Sequence, residues 1–441
     1  MSKNDIAWNK LFVKYNILQK IQTDGIYYIK SDDINIYRES RLMTKFDHSL
    51  QLPQIFKQHK LSILPISRKE YIIAPIQTFA PLQYNSQLGL HDIIVPPFLE
   101  SLNYNNITNE AMAINCAYAS GIIADFTEES ELFPTISGRM SSQKFNFEIT
   151  SNIPLKCGSF KISVENSQIE IDGGYEGKTS LSIIEAKNSI NNDFLIRQLY
   201  YPYRLWTDKI SKKVKPIFMI YTNGIFYLKE YKFTNKYNYS SITLVKEKKY
   251  RLTTENAPKI NIQTLYILLQ EIEIINEPIN IPFPQADSFE RIINLCEIIN
   301  NSDDNKIYKE NLKENYSFTE QNSFDLRQVD YYTNAAIYLD LITKEKDRLN
   351  NIYYSLTEYG KSFFNLDLNV RQIKFVETIL RHAPFNETLK LYLDKAEVPS
   401  KTEVVSIMRH FLNTIESEST FVRRASTIIA WLNWIINLIE E

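Results

Sequence analysis

Three side chains in the segment QIEIDGGYEGKTSLSIIEAKNS carry most of the chemistry this chain offers: Asp172, Glu185 and Lys187. Asp172 follows the apolar run IEI, Glu185 follows LSII, and a single alanine separates Glu185 from Lys187. Residues two apart on a strand project from one face, so Glu185 and Lys187 are expected to point together, in phase with Leu181 and Ile183. If the two strands are neighbours, Asp172 joins them at one end of a sheet. Two carboxylates placed this way are oxygen ligands for Mg2+, a hard cation that keeps several waters and seeks phosphate oxygens. The backbone carbonyl of Ala186 is a third candidate ligand. Such an ion lowers the pKa of a water and offsets charge developing on a scissile phosphate, and Lys187 beside it would orient the nucleophile or stabilise the phosphorane.

An Asp, a gap and Glu-x-Lys also arise as an ordinary salt bridge at a strand end. Three features favour the chemical reading. Both carboxylates follow apolar strand runs. The step Asp172-Gly173-Gly174 permits close approach of the backbone to a ligand. Residues 197–232, which include Lys212 and Lys213, hold eight Lys/Arg against two Asp/Glu, a local charge of +6 in a chain of net −2, which suits a phosphate-bearing partner.

The elements that must position these residues read as a β-rich middle. Lys144–Thr150 alternates, with Phe145, Phe147 and Ile149 on one face. Phe160–Val164 and Ile169–Asp172 are expected to pair through the turn ENSQ, and Leu181–Lys187 forms a short apolar strand. Asp193–Asp208 reads as a helix that Pro202 should kink or end. Lys215–Tyr221 and Ile225–Phe233 flank Asn223-Gly224, a strong hairpin signal. Upstream, Asp5–Ile21 and residues 109–126 read as helices, with strand-like pieces at Ile26–Ile29, Leu61–Ile66 and Tyr71–Pro75 between them. After about residue 250 the pattern is helical, and the Pro-rich segment EPINIPFPQAD marks a boundary. No internal repeat is visible in the sequence.

With Ile171-Asp172 followed by Glu185-Ala186-Lys187, this stretch resembles the PD-(D/E)XK nuclease core, Ile171 standing where a proline is usual. The resemblance implies a mixed-sheet α/β core and Mg2+-dependent phosphodiester hydrolysis. Asp172 and Glu185 would be the metal ligands and Lys187 the catalytic lysine. Gln198 resembles the glutamine that some members place on the next helix. Many members add an upstream acid; Glu110, Glu128 and Glu129 are all candidates for it.

Residues 316–364 resemble a winged helix. SFTEQN supplies a helix start, with Ser317 or Thr319 as N-cap. In the helix that follows, Val329, Tyr332, Ala336 and Leu339 recur at helical spacing and are expected to face the core. Arg327, Gln328, Tyr331, Asn334 and Tyr338 lie mostly off that stripe. Arg suits guanine and Asn or Gln suits adenine in the major groove. Lys344, Lys346 and Arg348 in the wing would reach backbone phosphates. The alternative is a helical packing module with a solvated polar face. Arg423 and Arg424 are further phosphate-binding candidates, next to an Ile428, Trp431, Leu432 and Ile435 stripe that reads as core. His48 and His91 read as surface or satisfied polar residues, and Arg41, Lys45 and Arg139 as solvated unless DNA lies near.

The chain has 441 residues, 44% of them hydrophobic, with 28 Tyr and 24 Phe, which excludes a disordered or collagen-like class. Cys116, Cys157 and Cys296 are too few and too dispersed for a disulfide framework or a zinc site. The stretch Ile428–Ile439 is too short and polar to span a bilayer, and MSKNDIAWNKLF has no apolar signal core. A cytoplasmic, DNA-associated prokaryotic protein with no membrane partner is expected. The expected organisation is an α+β N-terminal region (1–105) with possible DNA contact, a nuclease core (106–250), a helical connector (251–315), a winged-helix domain (316–364) and a C-terminal helical domain (365–441).

This plan resembles the larger single-chain type II restriction endonucleases, as do PFPQADSFERIINL and RRASTIIAWLNW. The expectation is a sequence-specific, Mg2+-dependent double-stranded DNA endonuclease. A companion DNA methyltransferase and a homodimer, at least on DNA, are implied. The competing readings are a DNA-binding regulator whose nuclease-like core is only structural, and a repair or mobile-element nuclease without strict site specificity.

Overall fold

A computed structural model describes residues 2–85, 88–154, 158–254, 257–316, 327–412 and 417–439. They form two compact units. The first comprises Met1–His91, Ala113–Tyr221 and Phe226–Tyr250, the second Asp92–Met112, Thr222–Ile225 and Arg251–Glu441. The N-terminal ninety or so residues therefore share a unit with the central strands, rather than standing apart from them.

Seven strands make the main sheet, in the order Leu90–Ile94, Ile242–Thr253, Ile225–Phe233, Lys213–Thr222, Ser180–Lys187, Gln168–Gly177 and Leu132–Ser141. Ser180–Lys187 is buried at all but its last position. Its near-continuous apolar run is what a strand covered on both faces requires. It pairs in parallel with Lys213–Thr222, reached through the helix Arg197–Thr207, and antiparallel with Gln168–Gly177. That helix buries Leu199, Tyr200, Tyr201 and Leu205 and continues past Pro202 to Thr207. Asp193–Leu195, expected at its start, is instead a short strand paired with Phe79–Pro81.

The expected pairing through ENSQ does not form. Ser159–Val164 pairs with Phe145–Thr150, while Gln168–Gly177 enters the main sheet. Phe145, Phe147 and Ile149 are buried on one face as their alternation requires, and Ile162 and Val164 complete that face from the partner strand. The hairpin at Asn223-Gly224 does form, with φ of +52° and +72°, the pair of left-handed residues that a type I′ turn needs. Two expected helices are interrupted by left-handed residues, one at Asn16 and the other at Gly121.

The second unit is mainly helical. Its core gathers Phe289, Phe375, Phe385 and Trp431; the indole of Trp431 stacks on Phe385 and donates to the Ala286 carbonyl at 2.7 Å. The helix Arg327–Tyr338 buries Val329, Tyr332 and Ala336, with Leu339 just beyond its end, as the spacing predicts. Tyr338 departs from the expectation. It is buried, stacks on His382 and donates to Glu277, so it is no reader of a ligand. Ile342–Lys346 and Ile352–Leu356 form the expected hairpin, and Lys306–Tyr308 adds a third strand. The helix start at SFTEQN lies outside the described residues. No helix among the described residues is long and apolar enough to cross a membrane.

Candidate active site

The strands of the main sheet part where the three chemical side chains lie. The ladder between Gln168–Gly177 and Ser180–Lys187 runs from Leu181 opposite Glu176 to Ile184 opposite Gly173, and stops there. On its other edge Gln168–Gly177 carries a bulge. Ile171 faces Gly138 and Gly174 faces Ile136, so Asp172 and Gly173 together face Ser137 alone. A bulge bends a strand and re-aims a side chain. Here the Asp172 carboxylate takes the place of the missing ladder bond, its Oδ2 accepting the Ala186 N–H at 2.9 Å. The N–H and C=O of one strand residue point to the same side, so the Ala186 carbonyl opens toward the same gap.

Glu185 and Lys187 point together: Lys187 Nζ lies 2.6 Å from Glu185 Oε1, and their side chains are only 7% and 12% exposed. From the helix Arg197–Thr207, Gln198 Nε2 donates to the same Glu185 oxygen and, at 3.3 Å, to Asp47 Oδ1. The other amide atom, Gln198 Oε1, is buried with no hydrogen-bond partner. Burial pushes the Glu185 carboxyl up to about 7; Lys187 opposes the rise, and Asp172 and Asp47 add to it.

Asp47 is the acid that sequence reasoning missed. It sits in the loop after the short helix Ser40–Thr44, far from every upstream acid considered. Three bonds hold that loop: the Leu195 N–H donates to the Asp47 carbonyl at 2.9 Å, the Asp47 N–H to Gln51 Oε1 at 2.6 Å, and the Ser49 N–H to Asp193 Oδ1 at 2.8 Å. The triplet FDH drew attention to its histidine, His48, which is buried, when the carboxylate before it is the residue that reaches the site. Of the acids considered, Glu129 is taken up by the Thr179 N–H and the Thr179 and Ser180 hydroxyls. These lie at the far end of Ser180–Lys187, about 20 Å away at the rise of a strand. Glu128 pairs with Lys246, and Glu110 opens the helix Glu110–Ala119.

Two supporting arguments change on the structure. Gly173 and Gly174 make room for protein rather than for a ligand: a Cβ on Gly174 would lie 2.7 Å from Ile136 Cβ, and one on Gly173 would lie 3.0 Å from the Tyr175 ring. The basic segment 197–232 is largely committed internally. Arg204 is buried and donates to the Asn146 carbonyl, Lys215 donates to the Thr127 carbonyl, and Lys229 pairs with Glu247. Lys212 lies 2.6 Å from Glu176 and Lys213 lies 3.6 Å from Glu230. Lys213 is opposite Ser180 in the parallel register, at the end of the sheet remote from Glu185.

In the second unit, Lys344, Lys346 and Arg348 are exposed on the hairpin of Ile342–Lys346 and Ile352–Leu356, while Gln328, Tyr331 and Asn334 are half-buried on the helix Arg327–Tyr338. The Arg327 side chain lies outside what the structure describes. Arg423 is exposed over its own helix, and Arg424 is half-buried with its Nε unbonded.

Among the described residues no group of three His, Cys, Asp or Glu side chains is arranged to hold a metal ion. Asp172 and Glu185 are nonetheless oxygen donors of the kind a hard cation takes. Fully ionised, Asp47, Asp172 and Glu185 would set three carboxylates against one ammonium, and Mg2+ completes its shell with water.

Three family models match successive segments: Domain of unknown function (DUF6996) over residues 5–73, Domain of unknown function (DUF6997) over 74–251, and Domain of unknown function (DUF7226) over 291–440. Asp47 falls in the first segment, and Asp172, Glu185, Lys187 and Gln198 fall in the second. No curated protein and no solved structure matches the chain.

Proposed function

We propose that the chain is a Mg2+-dependent endonuclease of double-stranded DNA, of the restriction type. The observation that carries this reading is the meeting of Asp172, Glu185 and Lys187 where two strands part at one end of the sheet. The chain path supports it. Helices precede three antiparallel strands, Leu132–Ser141, Gln168–Gly177 and Ser180–Lys187, and the helix Arg197–Thr207 then leads to a parallel strand, Lys213–Thr222. That succession is in keeping with the mixed-sheet core of PD-(D/E)XK nucleases.

Asp172 and Glu185 would hold the ion, with the Ala186 carbonyl beside them. When bound, Mg2+ would supply a low-pKa water and offset charge on the scissile phosphate. Lys187, tethered to Glu185, donates to the attacking water or to a non-bridging phosphate oxygen. Gln198 holds Glu185 and Asp47 in one arrangement, so that Glu185 meets the ion from a fixed rotamer. Burial favours the neutral form of Glu185, and an incoming cation favours its carboxylate.

DNA contact by the second unit draws support from its three-stranded sheet and from the exposed Lys344, Lys346 and Arg348. Cutting both strands requires two such sites, hence a dimer on DNA, and a companion methyltransferase would protect the host. The test is digestion of a sequenced plasmid with Mg2+ and mapping of the ends. Discrete fragments support the restriction reading, a smear points to a nuclease without strict site specificity, and binding without cutting points to a regulator.

A further inference from the structure

Within residues 3–74 and 289–356, the described strands and the helices next to them follow the same order, although the sequences show no repeat. Each begins with helix and a short strand, Tyr27–Lys30 in the first and Lys306–Tyr308 in the second, and a helix starts at the next residue. Each then runs through a helix, Gln54–Gln58 or Arg327–Tyr338, into a two-stranded hairpin. In both, the sheet order is first, third, second, and every pairing is antiparallel.

The helix-to-strand joint repeats atom for atom. Lys60 and Asp340 are left-handed, at φ +54° and +56°. The Leu61 N–H donates to the Phe56 carbonyl at 2.8 Å, and the Leu341 N–H to the Ala336 carbonyl at 2.9 Å. The residue before each leucine donates three positions back, Lys60 to Lys57 and Asp340 to Ile337. Both joints are Schellman caps.

The first copy carries an excess of basic residues. Residues 1–73 hold twelve Lys/Arg against seven Asp/Glu, a net +5 in a chain of net −2. Arg68 and Lys69 are exposed at the tip of its hairpin, where the second copy exposes Arg348. Phe56 anchors the helix Gln54–Gln58 against Trp8 and Phe12, which leaves Gln54, Gln58 and Lys60 facing solvent. Amides on a short helix beside cations on a hairpin suit base edges flanked by phosphates.

We propose that residues 3–74 are a second duplex-binding module, with Arg68 and Lys69 on backbone phosphates and the helix Gln54–Gln58 against the groove. The inference rests on the reading of the chain as a DNA enzyme and extends it. The loop entering this helix carries Asp47, so the segment that meets DNA also supplies a carboxylate to the candidate active site.

The test is a fluorescence-anisotropy titration of the full chain with a labelled duplex of mixed sequence, in EDTA, at a series of KCl concentrations. For the double variant Arg68→Ala/Lys69→Ala, the slope of log K against log salt should fall by about 2, at about 0.9 per lost phosphate contact. The same substitutions at Lys178 and Lys401, exposed elsewhere, should leave it unchanged. A slope and affinity equal to those of the wild type, with an unchanged circular dichroism spectrum, would overturn the module while leaving the nuclease reading intact. A wild-type chain that binds no duplex would overturn both, and a wild-type preference for single-stranded RNA would overturn the choice of duplex.

Discussion

Glu185 is the side chain on which the electrostatics of the site converge. Burial raises its carboxyl to about 7, against an ordinary value near 4.5. The folded chain therefore holds its proton more tightly than the unfolded chain, and the associated stability is present below about pH 4.5 and lost as pH rises through 7. In metal-free protein, Glu185→Gln should remove that dependence and raise stability at pH 8 by an amount on the order of 3 kcal/mol, read by urea unfolding. An unchanged midpoint at pH 8 would mean that the carboxylate is not strained by its surroundings. If Mg2+ binds as proposed, the same linkage would make its binding expel a proton, so Mg2+ affinity measured by calorimetry should fall as pH drops from 8 to 6. Under the proposed function, Asp47 acts through Gln198 as a positioning residue. Asp47→Ala should lower the turnover number while leaving DNA affinity within about twofold, because the contact it loses is to the site and not to the substrate. Asp172, Glu185 and Lys187 were legible in the sequence because strand geometry fixes which residues share a face. Asp47 was not, because a loop acid carries no periodicity and its partner Gln198 lies 151 residues away.

At the scale of elements, the bulge at Asp172-Gly173 is what converts a strand pair into a site. Gly174, next to it, sits where Ile136 of Leu132–Ser141 crosses closely, so Gly174→Ala must push Ile136 or bend the strand. A loss of about 1–3 kcal/mol is expected from such overpacking, measured by urea unfolding, with cleavage falling alongside because the strands no longer part in the same place. A variant with wild-type stability would show that the crossing has slack. Elements set by local signals were readable in advance: the Asn223-Gly224 hairpin, the alternation of Phe145, Phe147 and Ile149, and the buried stripe of Arg327–Tyr338. Strand partners were not. The turn ENSQ joins two strands that belong to different sheets, and the local pattern of neither strand says which partner it takes.

At the scale of the whole molecule, the chain gathers into two units, each drawing on stretches separated in sequence. The recurrence of one chain path in residues 3–74 and 289–356 escaped sequence inspection because it is conserved in hydrogen bonds and strand order, not in residue identity. The charge of the segment 197–232 is redistributed at this scale. A run of cations in sequence becomes a binding surface only where it is not matched by nearby carboxylates and carbonyls, and here most of it is matched. The account stands most directly on one comparison: wild-type chain, Lys187→Ala and Asp172→Asn, each incubated with long duplex DNA and Mg2+, with binding followed in parallel. Discrete fragments are expected from the wild type and no cutting by either variant at saturating DNA, with duplex binding retained by all three. Cutting by Lys187→Ala at the wild-type rate, or an intact plasmid after incubation with the wild type, would contradict it.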